Sequence, residues 1–399
     1  MRIAIVVWEL DVRGGTQRQA LELAVNLQDM GHEIVVYCNT FDRKKCYEDL
    51  CKNLKICCAS KKTNTQQKKN SVLNYLTFPL RILDFIFYDS SIREIKNRIE
   101  ADSLEKKFDI INIHDYEVWK IAPYLTSHKI IWMMNDIAGV PSIYEKNKTK
   151  NIFKNIFWKT ILIVTKNKIK RINKIVVLDK RNMNFCKKYY NRDPVIVRSG
   201  IDPDLFRDIM IHKDDRHIEI FASGIFLPYR RFEDLILATK ILIEKKINNF
   251  HVTINGLNSK CYEYFLFIKN TIDDNGLQDT ITLVNGMSEK ELLQNYAKAN
   301  VFVFPNHEQT WGLSVFEAML AECICIVSKS SGAHEVLTDY ENAILLTPKS
   351  PVELAKILED ILTNYSTFLY LGKNGSNFVK NNLSWKTYTN SMLKIFEND

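Results

Sequence analysis

Short β-prone runs alternate with helical stretches along most of this chain, and that alternation leaves few folds open. Strand-like runs occur at 2–7, 33–38, 54–58, 109–113, 129–133 and 173–178, with helical spacing between them that begins at 16–30. Runs this short, rich in Ile and Val and separated by helices, are βαβ units, and these build parallel sheets covered on both faces. A second series follows at 218–223, 250–255, 280–284, 301–304 and 323–328, with helices over 232–245 and 289–298. Between the two lies VRSGIDPDLF, 197–206, where Gly200 and Pro203 interrupt both periodicities. The expectation is an α/β protein with two doubly wound parallel sheets, a first domain over 1–206 and a second over 207–383. Each would hold its ligand at the carboxyl ends of its strands. A length of 399 residues lets each domain bury its own core.

Composition removes several classes. No stretch of 18 uncharged apolar residues appears, so no membrane-spanning helix is expected. The opening MRIAIVVWEL is followed by acids and lacks a small-residue cleavage site, so it reads as a first strand and the protein is expected in the cytoplasm. Nine cysteines, without paired C-x-x-C spacing, read as reduced thiols and give a zinc site little support. The charge of +8 divides unevenly, as +15 over 1–200 and −7 over 201–399. A basic first half suits an anionic surface. Within it, NIFKNIFWKTILIVTKNKIKR at 151–171 and SVLNYLTFPLRILDFIFYD at 71–89 interleave aromatic and aliphatic residues with basic ones, after a loop-like KKTNTQQKKN at 61–70. Each fits a core helix with solvated lysines; together they suggest shallow docking on an anionic membrane. Nucleic acid is not expected, because no recognisable binding motif accompanies these residues.

The richest segment is PNHEQTWGLSVFEAMLAECICIVSKSSGAHE at 305–335. It runs from a strand through a polar turn into a helix that opens near Leu313, so backbone N–H groups of Gly312, Leu313 and Ser314 stand at a helix N-terminus, where a diphosphate is favoured. Glu317, about one turn in, offers a carboxylate able to accept from both hydroxyls of a ribose diol. Gln309, on the turn, can donate to and accept from sugar hydroxyls. Two further loops fit the same ligand. Gly14 and Gly15 follow the first strand and precede a helix, letting backbone approach a ligand closely, though the pattern is not G-x-G-x-x-G and disfavours a dehydrogenase. Arg230 and Arg231 precede the second domain's first helix; cations oppose the dipole there, a conflict that a bound anion removes, and guanidinium groups suit phosphate. His114 lies just past a strand's carboxyl end, with Asn135 and Asp136 past the next; on spacing alone such a His is either structural or functional. The pair Asp202 and Asp204 reads as a turn rather than a metal site.

The block at 305–335 resembles family 4 of the glycosyltransferases, retaining enzymes of the GT-B fold, whose mark is Glu, seven residues, Glu, then a turn and Gly-x-x-Glu. Matching positions are Gly312, Glu317, Ala318, Met319, Ser328, Gly332 and Glu335. The chain departs at Gln309, where the family has its first Glu, at Glu322, where it has Gly, and at Ile324, where it has Pro. Gln309 keeps hydrogen bonding but loses a negative charge. The resemblance implies transfer of a hexosyl group from a nucleotide diphosphate sugar, with the anomeric configuration retained. It places Glu317 on ribose; Arg230, Arg231 and the 312–314 backbone on diphosphate; Gly14 and Gly15 facing the diphosphate; Gln309 on the sugar; and His114 on the acceptor side, contacting the donor sugar. The family usually has Lys at Arg230 and often a further Arg at Ile225. No metal or other cofactor is implied. A last helix over 384–399 is implied to return to the first domain, and closure about 197–206 would exclude water. The acceptor suggested is a saccharide or lipid-linked saccharide in cell-surface glycan or glycoprotein assembly. The alternative is a catalytically silent GT-B protein that binds nucleotide sugar or glycan, motivated by Gln309 and Glu322. A phosphorylase is disfavoured, since no lysine motif for pyridoxal is visible.

Overall fold

The computed structural model describes residues 1–59, 90–114, 118–135, 152–259, 261–308 and 310–398. Seven strands come first: β1 (Arg2–Leu10), β2 (Glu33–Phe41), β3 (Lys55–Cys58), β4 (Ile110–His114), β5 (Lys129–Met134), β6 (Lys174–Val177) and β7 (Val195–Ile196). They form one sheet in the order β3-β2-β1-β4-β5-β6-β7, every pair parallel. Ile3 to Val7 of β1 are wholly buried because helices cover the sheet, and such a strand loses apolar/polar alternation. Six more strands, β8 (Ile218–Ser223), β9 (Phe250–Gly256), β10 (Ile281–Asn285), β11 (Val301–Phe304), β12 (Ile324–Ser328) and β13 (Ile344–Leu346), form a second parallel sheet, β10-β9-β8-β11-β12-β13. On one of its faces Ile220, Val252, Ile254, Val303 and Ile326 share a register and pack with Leu235, Ile268 and Leu358 from the helices.

Both sheets reverse their winding beside their first strand, between β1 and β4 and between β8 and β11. A doubly wound sheet splays its loops apart at such a place and leaves a crevice at the carboxyl ends. The strands expected from sequence are all present, to within a few residues at their ends. β7 and β13, of two and three residues at sheet edges, add to them; runs so short show no periodicity.

The chain divides into two compact units, Met1–Arg198 with Tyr388–Asp399, and Ser199–Thr387. The break falls after Arg198, not after 206, because the intervening residues pack on the second unit. Ile201 bridges to Ser384, and a Cβ on Gly200 would lie 2.4 Å from the Ser384 backbone. The final helix spans Trp385–Asn398, and within the first unit the Phe396 carbonyl accepts from Lys129 Nζ at 2.8 Å. The stretches 61–70 and 71–89 lie outside the described residues, as do Asp136 and Gln309.

Candidate functional site

In the second unit, three loops at the carboxyl ends of β8, β11 and β12 are laced together. The His307 N–H donates to the Tyr229 carbonyl at 2.7 Å, joining the loop after β11 to that after β8. Ser330, after β12, accepts from the Glu308 N–H at 2.9 Å and pairs with His307 Nδ1 at 3.1 Å. The Gly332 N–H donates to the Thr310 carbonyl at 3.3 Å. Glu308 itself sits at φ 56, in the left-handed region, a strained conformation for a side chain other than glycine.

The helix entered from the β11 loop spans Leu313–Leu320, with Gly312 as its N-cap at φ 77 and no side-chain cap. Glycine is required twice over, by that φ and because a Cβ would lie 2.8 Å from the Phe304 ring. The first-turn N–H groups thus face the crevice without a capping side chain, as an anion site needs. Glu317 accepts from the Tyr296 hydroxyl at 3.2 Å. Burial pushes that hydroxyl well above its usual range and the Glu317 charge pushes it further, so Tyr296 stays a donor.

The structure separates the two arginines. Arg231 is the N-cap of the helix Phe232–Glu244, at φ 55. Its guanidinium pairs with Glu233 at 2.8 Å and with the buried Asp234, and Nε reaches Asp234 Oδ2 at 3.0 Å. Two acids in the first turn therefore answer its charge. Arg230 has no such partner among the described residues: with the Asn306 amide oxygen turned towards it, Nη1 donates to Asn306 at 2.8 Å, and Nε is buried without a hydrogen bond. The expectation that both arginines face phosphate thus narrows to Arg230, because local carboxylates already hold Arg231.

The first unit's crevice is built of other materials. Gly14 is the N-cap of the helix Gly15–Asp29, again without a side-chain cap, and its carbonyl accepts from the Tyr47 hydroxyl at 3.4 Å. His114 ends β4 and is wholly buried. Asn112 Nδ2 donates to the Ile131 carbonyl, so its Oδ1 accepts, and His114 Nε2–H donates to it at 2.7 Å. Burial lowers His114 to about 3, so the ring is neutral, and its Nδ1 is left as a buried acceptor with no partner among the described residues. Asn135, after β5, is buried, and its Oδ1 has no partner among the described residues.

The departures at 322 and 324 are structural. Glu322 turns from the helix into β12 at φ 59, the conformation that makes glycine apt there. Ile324 N–H donates to the Asn300 carbonyl at 2.9 Å, a bond proline lacks. Asp202 Oδ1 accepts from the Asp204 N–H at 2.9 Å and Asp204 pairs with Arg207, which makes the pair a turn. Among the described residues no cluster of His, Cys, Asp and Glu could hold a metal ion, and no helix is long and apolar enough to cross a membrane.

Asn306 and Tyr296 escaped the sequence reading. Asn306 lies after a proline in a polar turn, where asparagine reads as a turn former, and Tyr296 reads as the apolar face of its helix. No local signal marks either.

Comparison with known proteins agrees with this geometry. The family model for glycosyltransferase family 4 matches residues 13–205, and that for glycosyl transferases group 1 matches 209–378, so the two adjoin and cover most of the chain. An uncharacterized glycosyltransferase of Methanocaldococcus jannaschii is 22% identical, over 100% of this chain and 98% of that one. The O-antigen chain mannosyltransferase RfbU of Salmonella typhimurium is 22% identical over 61% of this chain and 67% of its own. Among solved structures, Anabaena HepE in complex with UDP-glucose superposes with a TM-score of 0.75 at 13% identity, over 99% of both chains, which shows the fold. Two doubly wound parallel sheets, this likeness and the adjoining matches lead to one conclusion: the chain belongs to family 4 of the glycosyltransferases, the group 1 enzymes of the GT-B fold.

Proposed function

We propose that this glycosyltransferase moves a hexosyl group from a nucleoside diphosphate sugar to an acceptor hydroxyl, with the anomeric configuration retained. The observation that carries the reading is the convergence, at the β8/β11 switch point, of the uncancelled cation Arg230, the uncapped helix end at Gly312–Ser314 and the carboxylate of Glu317. These three match a diphosphate and a ribose. RfbU is named for mannosyl transfer and HepE was solved with UDP-glucose; both sugars are hexoses, which supports that class of donor.

In the reaction, the bond between the anomeric carbon and the diphosphate oxygen breaks. A bond to the acceptor oxygen forms, and the acceptor's proton passes to the departing diphosphate oxygen. Negative charge grows on the departing diphosphate, where Arg230 and the helix N–H groups stabilise it. Gln309 would hold sugar hydroxyls, as would His114, whose neutral ring can accept a hydrogen bond from a hydroxyl at Nδ1. Gly14 and Gly15 would offer backbone donors to a phosphate. The acceptor we infer is a saccharide or lipid-linked saccharide of a surface glycan, in keeping with the O-antigen relative and with a basic first half suited to the anionic inner face of a membrane.

The test is calorimetry with UDP, GDP, ADP and their sugar conjugates. One nucleotide should bind at micromolar level and lose that binding in Glu317→Ala; no binding to any would sink the reading. Retention is read from the anomeric configuration of the product by NMR. A silent binding protein would yield no product with any donor, although the turn role of Glu322 removes one of the two motives for that alternative.

A further inference from the structure

We propose that Asn306 is a positioning residue that fixes the Arg230 guanidinium to meet the donor's diphosphate; the proposal rests on the donor-site reading above. Asn306 lies two residues past the end of β11, and its side chain is almost wholly buried, with the residue 1% exposed. Its amide grips Arg230 at both ends. Oδ1 accepts from Nη1 at 2.8 Å while Nδ2 donates to the Arg230 carbonyl at 3.2 Å. The grip therefore fixes the backbone that carries the side chain and the charged group at its tip. On the opposite side the guanidinium lies across Gly224, where a Cβ would stand 2.7 Å from Cζ. The Tyr229 ring, 5.3 Å from Cζ, and the 2.7 Å bond from the His307 N–H to the Tyr229 carbonyl complete the cradle.

The chemistry of the grip is the argument. A carboxylate would hold a guanidinium more tightly but would cancel its charge, as Glu233 and Asp234 do for Arg231 next door. A neutral amide holds by one hydrogen bond and leaves the positive charge for an anion. Arg230 is thus ordered before the nucleotide arrives, so binding need not immobilise a long side chain. Asn306 belongs to the loop that leads into the helix end at Gly312, so the same loop sets both donors to the diphosphate.

The test is a double-mutant cycle read by titration of UDP, GDP and ADP, with uridine, guanosine and adenosine as controls that lack phosphate. Asn306→Ala should weaken the bound nucleoside diphosphate about tenfold and leave the nucleoside unaffected. In an Arg230→Ala background the same change should add nothing. An equal loss in both backgrounds, or a parallel loss of nucleoside, overturns the proposal while leaving the donor site standing. If Arg230→Ala binds diphosphate as the native protein does, the reading of Arg230 fails and the proposal falls with it. Should Asn306→Ala not fold, Asn306→Asp keeps the shape and the acceptor but sets a carboxylate on the guanidinium. Its diphosphate affinity should drop with nucleoside binding retained, and unchanged diphosphate affinity in this variant overturns the proposal.

Discussion

The two crevices sit at equivalent places in two sheets of the same winding, yet they are made differently. The second unit's elements are tied by side chains: Asn306 to Arg230, Tyr296 to Glu317, Ser330 to His307. The first unit's crevice presents backbone at Gly14 and Gly15 and one neutral, fully buried ring at His114. Net charge runs the other way, +15 over residues 1–200 and −7 over 201–399. The uncancelled cation nevertheless sits in the acidic half, because what an anion meets is decided by the partner each charge already has rather than by a sum over the surface.

Arg230→Ala should break that contrast most strongly, lowering affinity for a nucleoside diphosphate about 100-fold. Titration of the purified variant checks it. The same substitution at Arg231 should instead act through stability, since Glu233 and Asp234 would lose their counter-charge.

His114 supplies a pH test of the other crevice. The folded ring stays neutral down to about 3, whereas in the unfolded chain it takes a proton near 6.5. The unfolded state therefore binds more protons between those values, and stability falls as pH drops through 6.5 by about 1.4 kcal/mol per pH unit for this group. His114→Gln should flatten the dependence, seen as a smaller shift of the urea midpoint between about pH 7.5 and about pH 5 than in the native protein. An unchanged shift would mean that the ring is charged in the fold.

Tyr296→Phe should cost about fivefold in nucleotide affinity and reduce discrimination against a 2′-deoxyribonucleotide, because Glu317 loses the donor that aims it. The smallest effect is expected at Glu322→Gly, which should gain about 1 kcal/mol of stability by relieving φ 59. Nucleotide affinity should not change, which would confirm that this departure from the family pattern concerns the turn alone.

Most of the fold was legible because long buried strands and their helices write a period into the chain. β7 and β13 were not, since edge strands of two and three residues owe their pairing to neighbours already in place. The position of the break was misread for a similar reason: Gly200 and Pro203 mark a turn, but the contact of Ile201 with Ser384, far along the chain, assigns that turn to the second unit. At the site, motif spacing singled out Glu317 and the helix end as candidates. It could not separate Arg230 from Arg231, because adjacent residues of one type differ only in what they touch, and it passed over Asn306 and Tyr296, whose partners lie on other elements.

The path of the last helix bears on how the molecule is made. Tyr388–Asp399 completes the first unit, with Tyr388, Met392 and Phe396 buried and Lys129 holding the Phe396 carbonyl. These residues leave the ribosome after every residue of the second unit. The unit translated first is therefore the last to close its core: during synthesis it waits with an apolar groove uncovered while its neighbour can already fold. A stop codon just before Tyr388 would damage the end of the molecule translated earliest.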